Sequence, residues 1–275
     1  MGALVRHLGD MGMHPFVAVF YRNFIALILL LPWLIKAGGP KILQTSRKKM
    51  YVLRASVGVI SMYFWFYALM NIPLSDAMAL SFTAPIFTAI LAVVFFKEKV
   101  DIHRTISLAV GLAGVLVILR PGSDIFMIEG LYAIIAALLW ANTGVMIKTL
   151  TKTDSPRVVV FYMVLMMTPL SLPMALPYFE MPSLEMLFWI FLLGLTSNFF
   201  QISLSNSFAI TEVSVVLPFD YLRLIFVSVI AHFAFAEDLD GWTYAGAAVI
   251  MLGSVYSAYQ ESLKHKYKRE MEYIE

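Results

Sequence analysis

Three ionisable residues lie deep inside long apolar stretches of this sequence. Arg22 is nine residues into the stretch 14–36, and Asp220 and Arg223 lie near the middle of the stretch 212–236. A charged side chain at the centre of a bilayer costs at least ~2.5–3.5 kcal/mol, so residues of this kind usually serve a function. Two arginines against one carboxylate leave a net positive charge, which suits a substrate with a carboxylate or another anionic group.

Two other roles for these charges stay open. Asp220 and Arg223 are three residues apart and share one face of a helix, so they could neutralise each other as a structural ion pair. A buried carboxylate can also bind and release protons, which would make Asp220 a coupling residue.

Uncharged polar residues, aromatic residues and prolines in the apolar stretches supply further candidates. Amide side chains could contact a substrate or simply hydrogen-bond between helices. Aromatic rings could stack on a planar or cationic group or simply pack. Prolines inside helices could be kinks that move in gating or static kinks. The candidates for substrate contact are Tyr63, Trp140, Asn142, Asn198 and Gln201, and those for gating are Pro85 and Pro218.

The sequence lacks the residue sets that membrane enzymes use. It has no Cys and five His, with no H-x-x-x-H pattern, no paired carboxylates in the apolar stretches and no glycine-rich nucleotide loop. We therefore expect a transporter with no catalytic residues, no cofactor and no metal. The alternative is an integral membrane protein that does not transport, either a membrane enzyme or an inactive truncated homologue.

The composition requires lipid around most of the chain. Of the 275 residues, 60% are hydrophobic and 14% are charged, whereas soluble domains carry about 25% charged residues. A helix needs about 20 apolar residues to cross a bilayer core, and backbone amides in lipid must bond within their own helix. The pattern predicts an all-α polytopic membrane protein. Its apolar stretches are 14–36, 51–71, 75–96, 103–120, 128–149, 157–178, 184–207, 212–236 and 241–262.

Lys and Arg are concentrated in alternate connections between these stretches. One side of the predicted membrane holds sixteen of the 20 basic residues, among them those between Lys36 and Arg54 and those of the tail. Basic residues are retained in the cytoplasm during membrane insertion, so this side and the C-terminus are predicted to be cytoplasmic.

The two halves of the chain resemble each other. An odd number of helices in each half inverts the second copy in the membrane, as in many secondary transporters. We predict two inverted five-helix repeats, 1–122 and 123–263, followed by a basic cytoplasmic tail, 264–275. The matching positions include Pro15 with Pro156, Tyr21 with Tyr162, Gly58 with Gly194, and Glu98 with Glu237.

The repeat also bears on the start of the chain. The offset of 141 residues aligns residues 1–8 with 142–149, the end of the stretch 128–149. We therefore expect a ten-helix architecture whose first helix is largely missing, which leaves nine full transmembrane helices. We also expect in-frame upstream codons to complete the first helix.

Short motifs mark the two halves of the chain. They are Ala84-Pro85-Ile86-Phe87 running to Phe96-Lys97-Glu98, Leu217-Pro218 running to Phe235-Ala236-Glu237, and Leu139-Trp140-Ala141-Asn142.

With these motifs the chain resembles the EamA family of the drug/metabolite transporter superfamily. The resemblance implies a bacterial inner-membrane protein that moves a small metabolite or drug-like solute by alternating access through a central cavity between the repeats. It implies membrane lipid and a small-molecule substrate as partners and no nucleic acid. The family's helix corresponding to the one with Gly111 and Gly114 is often assigned to dimer contacts, so a homodimer is an expectation.

The charge distribution yields a test of topology. Reporter fusions after Lys49, Lys152 and Lys268 should report a cytoplasmic location, and fusions near Ser123 and Met181 should report the outside. The reason is the concentration of basic residues on one side of the membrane. A reproducible reversal at any of these five sites would contradict the inverted-repeat topology.

Overall fold

The computed structural model describes residues 1–81, 128–210, 222–235 and 241–272, together with single residues between 83 and 117. Within these ranges the chain forms helices and no β-strand, which confirms the all-α prediction. The α-helices are α1 (Gly2–Asp10), α2 (Pro15–Lys36), α3 (Lys48–Asn71), α4 (Leu74–Ser81), α5 (Ile128–Leu150), α6 (Pro156–Ala175), α7 (Leu184–Ile210), α8 (Leu222–Phe235) and α9 (Gly241–Glu272).

Five of the described helices are long and apolar enough to cross a membrane. They are α2, α3, α5, α7 and α6 with the 3₁₀ turn that follows it, Leu176–Tyr178. These five correspond to five of the nine predicted stretches. The predicted stretches 75–96 and 103–120 fall mostly outside the described residues.

The same residue type opens the second helix of each repeat. Pro15 is the first residue of α2 and Pro156 is the first residue of α6. Proline suits this position because its missing N–H would have no partner in the first turn. Before α2, His14 Nδ1 accepts a hydrogen bond from the Phe16 amide at 3.3 Å, which caps the helix.

Two contacts between the repeats are equivalent, and each is made at an equivalent glycine. A Cβ at Gly58 of α3 would stand 2.0 Å from Met167 Cε of α6, and a Cβ at Gly194 of α7 would stand 2.6 Å from Ile25 Cγ2 of α2. The two glycines are 136 residues apart, as the repeat predicts. The contacts of α3 with α6 and of α7 with α2 therefore follow the pattern of an inverted pair, while α2 and α6 also pack on each other.

The short helix α1 packs into the bundle against α3 and α7. Val5 and Leu8 are fully buried. Arg6 Nη1 donates to the Ile72 carbonyl oxygen at 2.9 Å, just after the last residue of α3. The guanidinium thereby meets one of the carbonyl groups that a helix end leaves without an intrahelical donor.

The two glycine contacts differ in what an added methyl group would meet. Gly194→Ala should lower the free energy of unfolding by about 1–3 kcal/mol, because β-branched Ile25 and the α2 backbone cannot move aside. Gly58→Ala should cost less, because the end of the Met167 side chain is flexible. Thermal unfolding of both variants in the same detergent would measure the difference. Equal losses, or a larger loss for Gly58→Ala, would contradict this packing.

Candidate functional site

Arg22 is enclosed in the bundle although its helix is long enough to span the membrane. The residue is 1% exposed. Its Nη1 donates to Asn23 Oδ1 at 2.7 Å and lies 3.9 Å from Met62 Sδ of α3, while its Nε has no hydrogen-bond partner. Among the described residues, no carboxylate lies within ion-pair distance of the guanidinium. The positive charge of Arg22 is therefore not neutralised by this part of the chain.

Asn23 orients the Arg22 side chain. It is fully buried, and its Nδ2 donates to the Val19 carbonyl oxygen at 2.8 Å, one turn earlier in α2. This bond leaves Oδ1 as the acceptor for Arg22. The sequence analysis missed this residue, although an asparagine inside an apolar stretch is itself a signal of a polar contact in a helical bundle.

Helix α7 presents a buried polar face to α2. Asn198 Nδ2 donates to the Ala26 carbonyl oxygen at 2.8 Å, and Ala26 lies one turn after Arg22. The predicted residue Asn198 therefore contacts α2 one helical turn away from Arg22. The α7 atoms that are buried without a hydrogen-bond partner are Asn198 Oδ1, Gln201 Oε1, Ser197 Oγ and Ser205 Oγ.

Arg54 is a second buried arginine. The charge pattern counted it among the basic residues of the cytoplasmic side, and the structure buries its side chain within the bundle. Helix α3 begins at Lys48, so Arg54 is seven residues inside it and 2% exposed. Its Nε and Nη1 have no hydrogen-bond partner. The described part of the chain places no carboxylate within ion-pair distance of it either.

The predicted residues Tyr63, Trp140 and Asn142 make contacts within or between other helices. The Tyr63 hydroxyl donates to the Ser171 carbonyl oxygen of α6 at 3.2 Å. Trp140 of α5 stacks on Phe200 of α7, with ring centroids 6.3 Å apart. Asn142 Nδ2 donates to the carbonyl oxygen of Leu138 in its own helix at 3.0 Å. Their roles as substrate contacts stay predictions.

Four predicted residues cannot be placed. Asp220, Pro85 and Pro218 lie outside the described residues. Arg223 lies in the first turn of α8, and its side chain lies outside the described part. The predicted grouping of Arg22 with Asp220 and Arg223 in one polar cavity therefore stays a prediction, as do the gating roles of the prolines.

A polar network joins the two repeats at one end of the bundle. Asp154 Oδ2 accepts hydrogen bonds from Thr45 Oγ1 at 2.8 Å and from the Tyr51 hydroxyl at 2.7 Å. Tyr51 stacks on Tyr162, with ring centroids 4.5 Å apart, and the Tyr162 hydroxyl donates to the Leu43 carbonyl oxygen. We call Thr45, Tyr51, Asp154 and Tyr162 the Asp154 latch.

Aromatic contacts join the repeats at the opposite end. Tyr21, the repeat equivalent of Tyr162, packs against Phe179 with centroids 5.6 Å apart. The His14 ring stacks on Tyr178 at 3.7 Å, with the rings almost parallel. Burial lowers the pKa of His14, which keeps the imidazole neutral and its Nδ1 able to accept the helix-capping hydrogen bond. We call Arg22, Asn23 and the buried polar residues of α7 the buried cluster. This cluster lies between two sets of contacts that link the repeats.

The Asp154 latch should restrict access to the polar face of α7. The chain has no Cys, so Ser205→Cys introduces a single thiol that a membrane-impermeant maleimide can report. Adding Asp154→Ala removes the acceptor of two hydrogen bonds and should raise the labelling rate several-fold from the latch side. Asp10→Ala, which removes only an ion pair of 3.3 Å with Arg6 on α1, is the control. Equal labelling rates with and without Asp154 would contradict the latch.

Comparison with known proteins places the chain among transporters. The sequence model of the EamA-like transporter family matches residues 1–120 and 127–259. The S-adenosylmethionine uptake transporter of Rickettsia prowazekii is 33% identical over 94% of this chain and 87% of that protein. The riboflavin transporter of Vibrio cholerae is 30% identical over 90% of this chain and 84% of that protein. One crystal structure, 16% identical, matches with a TM-score of 0.69 over 93% of this chain and 91% of its own, which shows a shared fold.

Proposed function

We propose, from the premise that the chain belongs to the EamA-like transporter family, that it moves a small metabolite bearing a carboxylate by alternating access. The family and the named relatives make the chain a multi-pass transporter of the bacterial inner membrane and not an enzyme. What we propose beyond this is the kind of metabolite, its carboxylate group and the orientation of the chain in the membrane.

The observation that carries this proposal is the burial of Arg22 without a described counter-charge. A buried charge is retained only where polar groups or an opposite charge meet it. Asn23 and Met62 satisfy one nitrogen, and Nε still lacks a partner. A guanidinium binds a carboxylate through charge-assisted hydrogen bonds, which are about twice as strong as neutral ones. A substrate carboxylate is therefore the ligand that fits this position.

The substrates for which the relatives are named differ in whether they carry a carboxylate. S-adenosylmethionine, for which the Rickettsia prowazekii relative is named, carries a carboxylate and an adenine ring. Riboflavin, for which the Vibrio cholerae relative is named, carries a planar ring system and no carboxylate. Trp140, a predicted substrate contact that packs on Phe200, would suit a planar substrate of either kind. A neutral planar metabolite is accordingly the second candidate.

Alternating access requires contacts between the repeats that can break at one end at a time. The Asp154 latch and the stacking of His14 on Tyr178 are such contacts at opposite ends of the buried cluster. The latch lies next to the basic residues Arg47, Lys48 and Lys152, so we assign it to the cytoplasmic side together with the C-terminus.

Transport by the purified protein in liposomes tests the proposal. Counterflow of labelled S-adenosylmethionine should occur, and Arg22→Gln should weaken substrate binding roughly 10- to 100-fold, because one charge-assisted interaction is lost. Lys49→Gln on exposed α3 surface is the matched control for loss of a positive charge. Thermal unfolding must first show that Arg22→Gln is folded. Wild-type transport by the folded Arg22→Gln protein would refute the assignment, and preferential transport of riboflavin would favour the second candidate.

A further inference from the structure

Helix α7 has an apolar outer surface and a buried face that becomes polar halfway along the helix. Phe191 and Phe199 are exposed on the outer surface, where lipid would cover them. The buried face begins with Ile190 and Leu193, which pack in the hydrophobic core. Polar side chains in a membrane helix are costly and usually serve a function. The buried polar residues that follow are Ser197, Asn198, Gln201 and Ser205.

The serines of this polar face do not use the hydrogen bonds that other hydroxyl groups of α7 make. Thr196 Oγ1 and Ser207 Oγ each donate to a carbonyl oxygen one turn earlier in the helix, at 2.8 and 3.0 Å. Such a bond is the usual way in which a hydroxyl group is satisfied inside a helix. In the described part of the chain, Ser197 Oγ and Ser205 Oγ are buried without any hydrogen-bond partner. Both hydroxyl groups are therefore available to a ligand.

The amides of the polar face restrict the chemistry of that ligand. Asn198 Nδ2 is held by the Ala26 carbonyl oxygen, and the oxygens of Asn198 and Gln201 are buried without a described partner. An amide oxygen only accepts hydrogen bonds, whereas a serine hydroxyl both donates and accepts. A carboxylate would leave the amide oxygens unmatched, and an ammonium group would leave the serine hydrogens unmatched. Hydroxyl groups match all of these atoms, because they also donate and accept.

The length of the polar face points to more than one such group. Ser197 and Ser205 are eight residues apart, which is about 12 Å along a helix. One hydroxyl group cannot reach both ends of this distance, whereas a sugar ring or a polyol chain carries several in a row.

We infer that the polar face of α7 binds a hydroxyl-rich part of the substrate, such as a ribose ring or a ribityl chain. The inference rests on the proposed transport function and concerns the part of the substrate that Arg22 does not bind. S-adenosylmethionine carries a ribose and riboflavin carries a ribityl chain, so the inference holds for either candidate. A solute without these hydroxyl groups leaves the buried polar atoms unmatched, and each unmatched atom weakens its binding.

Two pairs of probes test the inference. Adenosine is compared with dideoxyadenosine, which lacks the ribose ring hydroxyls, and riboflavin is compared with lumiflavin, in which a methyl group replaces the ribityl chain. Binding is measured with the purified full chain in nanodiscs. Wild type should prefer the hydroxylated member of at least one pair by roughly tenfold or more. Gln201→Met and, separately, Ser205→Ala should reduce that preference roughly fivefold, because each removes a partner of the hydroxyl groups.

A matched control keeps the same helix and the same kind of change. Ser207→Ala removes a hydroxyl group that already bonds within α7, so it should leave the preference at its wild-type value. Thermal unfolding identifies the variants that are folded, and the two test variants stand in for each other if one is not.

Three results would overturn the inference. They are equal wild-type binding within both pairs, as expected if only water meets the polar face, an unchanged preference in the folded Gln201 or Ser205 variant, and no binding of any of the probes. Counterflow of S-adenosylmethionine or riboflavin together with any of these results would leave the transport proposal standing. Absence of counterflow with every solute would instead refute transport itself.

Discussion

The cost of holding the Arg22 guanidinium inside an apolar bundle is the constraint on which this site depends. The charge cannot face lipid, so the helix that carries it must be surrounded by protein, and α2 packs against α3, α6 and α7. Asn23 and Met62 supply part of the required polar contact. One turn further along α2, Asn198 of α7 donates to the Ala26 carbonyl oxygen, and other amide and hydroxyl atoms of α7 are also buried. The proposed substrate site is built on this one residue and its surroundings.

The helix contacts follow the internal repeat, whereas the buried polar residues do not. Gly58 and Gly194 make equivalent helix contacts, and Tyr162 and Tyr21 close opposite ends. The repeat equivalents of Arg22, Arg54 and Asn198 are Met163, Ile190 and Met62, all of them apolar. Symmetric packing fits the proposed alternating access, since each end uses related contacts. An asymmetric site allows one substrate to bind in one orientation, which two identical halves could not provide.

Periodicity and hydropathy in the sequence predicted the helices. Contacts between residues far apart in the chain could not be predicted from these patterns. The stretch 14–36 became Pro15–Lys36, and Arg22 is buried as its depth in that stretch predicted. The burial of Arg54 was not predicted, because basic residues near a helix end follow the positive-inside rule whether they face solvent or the bundle. The Asp154 latch was missed because its hydrogen bonds join residues 103 and 109 positions apart, for which no local pattern exists.

A structure of the protein with bound S-adenosylmethionine tests most directly whether the charge of Arg22 is met by substrate. The account predicts a carboxylate oxygen within about 3 Å of Arg22 Nε, a normal hydrogen-bond distance. An ion pair between Arg22 Nε and a carboxylate of the chain itself, such as Asp220, with the substrate bound away from Arg22, would contradict it.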